Sequence, residues 1–192
     1  MGHRAGAIND CGNQARRRDA TFLCYKHASG MRPQDFRGIM LDDIYNKKIL
    51  GFAADIPRIG RLDVPDGTAK AHSKLCGSTV TVDLKLQDGV VTDFAHQVKA
   101  CALGQASSSI MARHIVGETA QDLRALRETM HAMLKQGGPA PTGRWADLAA
   151  LEPVRDFKAR HASTLLTFDA VVAALDMAEG RGENAATAAI AG

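Results

Sequence analysis

Thr79-Val80-Thr81-Val82-Asp83-Leu84-Lys85-Leu86 alternates without a break, and after Gln87 comes an Asp88-Gly89 pair. Alternation of period two places Val80, Val82, Leu84 and Leu86 on one face of a strand. Asp-Gly is a hairpin turn pair. The chain then returns from Val90 to about Lys99, with Val90, Phe94 and Val98 on a common face. An earlier short strand over Ala69–Leu75 completes an antiparallel meander of about three strands. A sheet this small has one apolar face and must cover it with something.

Helical periods supply the cover. Leu41, Ile44, Tyr45, Ile49, Leu50, Phe52 and Ala53 recur at three and four residues, which predicts a helix over 41–56. Asp42 and Asp43 suit the positive end of its dipole, and Pro57 stops it. Residues 57–68 read as a Pro- and Gly-rich loop. After the hairpin, Ala102–Val116 reads as a helix ended by Gly117. Thr119, with Asp122 three residues on, caps a further helix that closes at Gly137-Gly138-Pro139. A short helix near Asp147–Leu151 precedes Pro153, and a last helix runs from about Ser163 to Met177. Strands grouped first and helices after them predict an α+β fold: a small antiparallel three-stranded sheet with helices packed on one face.

The chain has 192 residues, enough for one domain whose core needs no disulfide staples. It has no run of about 18 apolar residues, so no transmembrane helix is expected. Residues 1–39 hold seven Lys and Arg against three Asp, a net of +4, whereas the remaining 153 residues carry a net of −1. A nearly neutral body argues against a nucleic-acid surface. The basic segment shows no sustained apolar period and no secretory pattern. It reads as a disordered or non-native extension, with Met40 as the natural beginning. Cys11, Cys24 and His27 within it match no zinc spacing. Residues 179–192, rich in Ala, Gly and Asn, read as a flexible tail.

Two cysteines sit where elements change. Cys76 precedes Gly77 and Ser78 just before the alternating strand. Cys101 stands where the last strand gives way to a helix, so its thiolate gains from the helix dipole. Both lie at loop ends of adjacent sheet elements, so their side chains are expected to converge at one rim of the sheet. No Gly-x-Ser-x-Gly elbow and no Gly-rich phosphate loop is present.

Leu75-Cys76-Gly77, a hairpin, and then Ala100-Cys101-Ala102-Leu103-Gly104-Gln105-Ala106-Ser107-Ser108-Ser109-Ile110-Met111 together resemble the U-type iron–sulfur cluster assembly scaffold family (NifU N-terminal domain, IscU, SufU). Those proteins show Cys-Gly-Asp before the hairpin and a G-C-A-I-S-x-A-S-x-S-x-M run after it. Ile44-Tyr45, the loop Ile56-Pro57-Arg58-Ile59-Gly60 and the stretch from Leu148 to Leu175 match more loosely, so the resemblance covers about 41–178. It implies a scaffold domain over 40–178 that assembles a transient [2Fe–2S] cluster, or binds iron, on three cysteines and an aspartate. It also implies a cysteine desulfurase as sulfur donor, apo iron–sulfur proteins as acceptors and a cytoplasmic setting. SufU-type members instead bind zinc there and accept persulfide sulfur.

Carried across position by position, the first two cysteines fall on Cys76 and Cys101, and the aspartate falls on Ser78. The third cysteine falls on Ser163, or on Ala162 with a one-residue shift. Clusters are held by four ligands, mostly thiolates, and a neutral hydroxyl is a poorer ligand. His161 is the best replacement nearby, because imidazole suits iron and zinc; His72 and His96 are further candidates. The expected metal site is Cys76, Cys101 and His161, with Ser163 or a water as the fourth ligand. Cys101 is the expected sulfur acceptor. Three readings follow: a non-enzymatic scaffold or carrier, a zinc-dependent sulfurtransferase-type partner of a desulfurase, and a degenerate paralogue acting only as an interaction protein.

Overall fold

A computed structural model describes residues 46–180. The expected N-terminal extension, with Cys11, Cys24 and His27, lies outside the described residues, as do positions 41–45 of the first expected helix and the tail beyond Gly180. The first helix among the described residues, α1, spans Lys47–Ala54, with the Asn46 side chain accepting from Ile49 N as its cap.

Three strands follow: β1 (Gly67–His72), β2 (Thr79–Gln87) and β3 (Val90–Lys99). They form one antiparallel sheet in chain order, with a register shift between Lys85 and Leu86 next to the Asp88-Gly89 turn. β1 starts two residues earlier than its expected position and stops at His72. The chain then bends back, Ser73 N donating to Ser78 O and Gly77 N to Ser73 O. That tight connection carries Cys76.

Val80, Val82 and Leu84 are fully buried, as their alternation requires, and join Phe94 on the apolar face. Helices α2 (Ala102–His114), α3 (Ala120–Gln136) and α4 (Lys158–Ala178) complete the core, with α4 packed along β1 and β2 and α2 against β3 and α4. Leu103, Ile110, Leu123, Met130, Leu165, Phe168 and Val171 join the strand residues in one cluster. Thr119 caps α3 by accepting from Asp122 N, and Gly137 closes it in the left-handed conformation, both at the expected positions.

Two helix starts also differ from expectation. The short helix near 147–151 is a succession of 3-10 turns over Gly143–Asp156 that includes Pro153. α4 begins at Lys158, five residues before the expected start. Its opening turn is polar, so an apolar period could not reveal it, although Lys, Ala and Arg are good helix formers.

The other face of the sheet is not simply solvated. Asp83, within the alternating strand, is fully buried beneath the 57–66 loop. It accepts from Arg61, Leu62 N and Thr68 Oγ1, the last at 2.7 Å. Burial alone would raise this carboxyl, but those donors outweigh it and hold it below the usual carboxylate range.

Candidate functional site at the start of the C-terminal helix

Cys76 is exposed at the tip of the β1–β2 connection. Its Sγ lies 3.3 Å from Ser73 Oγ and 3.0 Å from Ser78 Oγ. Ser73 and Ser78 are both buried, so the bend of the loop fixes their hydroxyls around the sulfur. Ser73 and Ser78, helped by the Ser78 backbone and the charge of Arg160, hold this thiol below its ordinary range against a smaller opposing effect of burial. A larger fraction of Cys76 is therefore thiolate, the form that acts as nucleophile and metal ligand.

Cys101 occupies the N-cap of α2, as its place between strand and helix predicts, and is half-buried. Its thiol donates to Ser163 Oγ at 3.4 Å, and Ser163 in turn donates to Arg160 O at 3.0 Å. The approach of α2 to α4 depends on Gly104: a Cβ there would lie 2.8 Å from Ser163 O. Cys101 is thus tied to the first turns of α4 through the hydroxyl of Ser163, and the charge of Arg160, in those turns, is the smallest of the influences that lower the Cys76 thiol.

The other expected ligands are placed differently. His161 is buried in the same turn, and its Nε2 faces two backbone carbonyls, Val154 O at 3.1 Å and Arg155 O at 3.0 Å. With acceptors on that side, Nε2 carries the proton and is not available to a metal. His96 lies in the core, packed edge-on against Phe94 with Nε2 donating to Pro57 O. Burial pushes its pKa down to about 4, opposed in part by the Pro57 carbonyl. His72 is exposed at the end of β1 and lines a cleft with His161. Among the described residues, no group of three His, Cys, Asp or Glu side chains is arranged to hold a metal ion.

The serine run after Cys101 is structural. Ser107 Oγ donates to Leu103 O inside the helix, and Ser109 Oγ donates to Asp55 O. Arg113 reaches the same Asp55, so these two side chains anchor the end of α1 to α2. Ser73 and Arg160 are the site residues that sequence reasoning misses. A serine three residues before Cys76 is the one local signal for Ser73. Arg160 is 84 positions from Cys76 in the numbering, and only the packing of α4 brings its charge near.

The family described as NifU-like N terminal domain matches residues 44–164. The iron-sulfur cluster assembly scaffold protein IscU of Thermotoga maritima is 27% identical over 132 residues, 69% of this chain and 92% of that protein. Among solved structures, a nitrogen-fixing NifU-like protein (N-terminal) from Brucella abortus is 66% identical. It covers 74% of this chain and 99% of its own, with a TM-score of 0.73. A scaffold described for the SUF system of Fervidobacterium islandicum shares the fold, with 20% identity, a TM-score of 0.65 and coverage of 71% and 99%. No helix among the described residues is long and apolar enough to cross a membrane.

Proposed function

Because the chain belongs to the NifU-like N-terminal domain family, we propose that it works in iron–sulfur cluster assembly, as a scaffold or carrier that accepts sulfur on Cys76. The observation that carries this reading is Cys76 itself: exposed, flanked by two buried hydroxyls and close to the charge of Arg160. In this proposal Cys76, rather than Cys101, takes the sulfur first.

Sulfur arrives as the persulfide of a cysteine desulfurase. The Cys76 thiolate attacks the outer sulfur of that persulfide, a new S–S bond forms on Cys76, and the old S–S bond breaks. Its electron pair leaves on the desulfurase thiolate, and the terminal sulfur keeps its proton. The exchange consumes no oxidant or reductant. Once the thiol has lost its proton, the Ser73 and Ser78 hydroxyls, 3.3 Å and 3.0 Å from the sulfur, donate to the anion before attack. Arg160 favours negative charge at the same place.

Cargo, whether a [2Fe–2S] cluster or iron, is offered two cysteine sulfurs, Cys76 and Cys101. Among the described residues, this donor set does not complete a four-ligand cluster. Ser163 supplies a hydroxyl near Cys101, and His161 has one nitrogen already committed to carbonyls. A two-thiol site holds its cargo loosely, which suits delivery to apo iron–sulfur proteins. The same shortage favours the second reading, in which the chain carries persulfide for a desulfurase without assembling a cluster.

The test is sulfur transfer from radiolabelled cysteine by a desulfurase, run anaerobically on the wild type, Cys76→Ser and Cys101→Ser, followed by iron and sulfide reconstitution. Label that persists in Cys101→Ser and vanishes in Cys76→Ser is expected. Label retained in Cys76→Ser removes the proposed acceptor. Label without any cluster absorption selects the carrier reading.

A further inference from the structure

Beside the Cys76 loop, α3 and the first half of α4 enclose an open cleft of about 420 Å³. That size falls within the range of small-molecule sites. Its charge is unbalanced. Lys135, in the last turn of α3, and Lys158, the first residue of α4, both line it and have no ion pair among the described residues. Its one carboxylate, Asp169, is already engaged by Arg127 Nε at 2.7 Å and His131 Nε2 at 3.2 Å. Burial would raise that carboxyl, but His131 and Arg127 outweigh it and keep it ionised and occupied. The N-terminal end of the 21-residue α4 adds the positive end of its dipole.

The rest of the lining narrows the class of ligand. Leu165 and Leu166 provide an apolar wall, which a bare inorganic anion would leave unused. His161 lines the cleft while 8% exposed; its Nε2 is committed to carbonyls, and Nδ1 has no hydrogen-bond partner among the described residues. Ser73 also lines it, and its Oγ is the atom 3.3 Å from Cys76 Sγ. A molecule seated here lies one side chain away from the exposed thiol.

We propose that this cleft binds a small carboxylate-bearing thiol, with its carboxylates toward Lys135 and Lys158 and its sulfur toward Ser73 and Cys76. In persulfide form, RSSH, the bound molecule is a second sulfur donor. The Cys76 thiolate attacks the outer sulfur, the Cys76–sulfur bond forms, and the original S–S bond breaks. The electron pair leaves on RS⁻, and the proton stays on the transferred sulfur. The binding stands on the cleft alone; the transfer rests on the reading of Cys76 as sulfur acceptor.

The experiment titrates the full chain with reduced glutathione and with L-cysteine, following backbone amide shifts, against acetate and inorganic phosphate as controls. Saturable glutathione shifts at residues around Lys135, Lys158 and Ser73 are expected, weakened about tenfold or more in Lys135→Gln/Lys158→Gln. Both lysines are exposed, so this variant keeps the fold, and its amide spectrum checks that. With glutathione persulfide, mass spectrometry should find one added sulfur on the Cys76 peptide, at a rate that saturates with donor only when both lysines are present. Absence of saturation, or saturation indifferent to the lysines, overturns the proposal. Acetate and phosphate binding as tightly as glutathione also overturns it, by reducing the cleft to a general anion site. Glutathione binding without desulfurase-dependent label on Cys76 refutes only the proposed function, and label without glutathione binding refutes only this inference.

Discussion

The resemblance sets Ser78 where the family pattern has an aspartate, and such an exchange reverses the local electrostatics of Cys76. A hydroxyl 3.0 Å away stabilises a sulfur anion by donating to it, whereas a carboxylate in its place would repel it. Ser78→Asp is therefore expected to raise the Cys76 thiol and slow its alkylation near neutral pH by about tenfold, because the rate follows the thiolate fraction. Iodoacetamide rates across pH, assigned to peptides by mass spectrometry, check this; an unmoved profile would show that Ser78 does not tune the sulfur. Ser163→Cys tests one of the two positions, Ser163 and Ala162, on which the resemblance places the third cysteine. It places a third sulfur beside Cys101, where Ser163 Oγ is now 3.4 Å away. The variant is expected to retain zinc on purification, approaching about one ion per chain by elemental analysis, and zinc at the wild-type level would count against a shared site. Both cysteines stand in local motifs, Cys76 before Gly77 and Cys101 at the head of a helix. The setting that activates Cys76 is legible only in part, because the charge of Arg160 comes from a helix remote in the chain.

The strands can be read because one face is buried, and burial writes an alternation into the residues themselves. The opening of α4 cannot, because its first turn faces the site rather than the core and is polar for that reason. The same helix runs close against β1 at Gly67, where a Cβ would lie 2.0 Å from Ala174 O. Only displacement of the helix or strand would make room, so Gly67→Ala is expected to destabilise the domain by about 1–3 kcal/mol. Urea unfolding monitored by circular dichroism measures it, and a variant as stable as the wild type would mean that α4 shifts along the sheet at no cost. Nothing in the local sequence marks this contact, since it joins residues 107 positions apart.

Across the whole molecule, acid should act through His96. Unfolded, its ring titrates near 6.5; folded, burial holds it near 4. Between those values the unfolded chain takes up a proton that the folded chain refuses. Its contribution is fully present above pH 6.5 and is lost as pH falls toward 4. Between pH 7 and pH 5 this group alone removes about 2 kcal/mol. Denaturant midpoints at the two pH values should converge for His96→Gln relative to the wild type, and parallel losses in both proteins would exclude His96 as the cause. The sequence offers His96 as a candidate ligand; its burial depends on residues 57–60, a segment that local pattern marks only as a loop. That segment has a wider effect. Gly60 N donates to His96 O, and His96 N donates to Arg58 O, so the loop occupies part of the outer rim of β3. Exposed strand margins invite a second chain to extend the sheet, which is how many β-rich proteins begin to form fibres. Here the protein's own backbone takes up that margin at His96, closing this stretch of the described three-stranded sheet to a second chain.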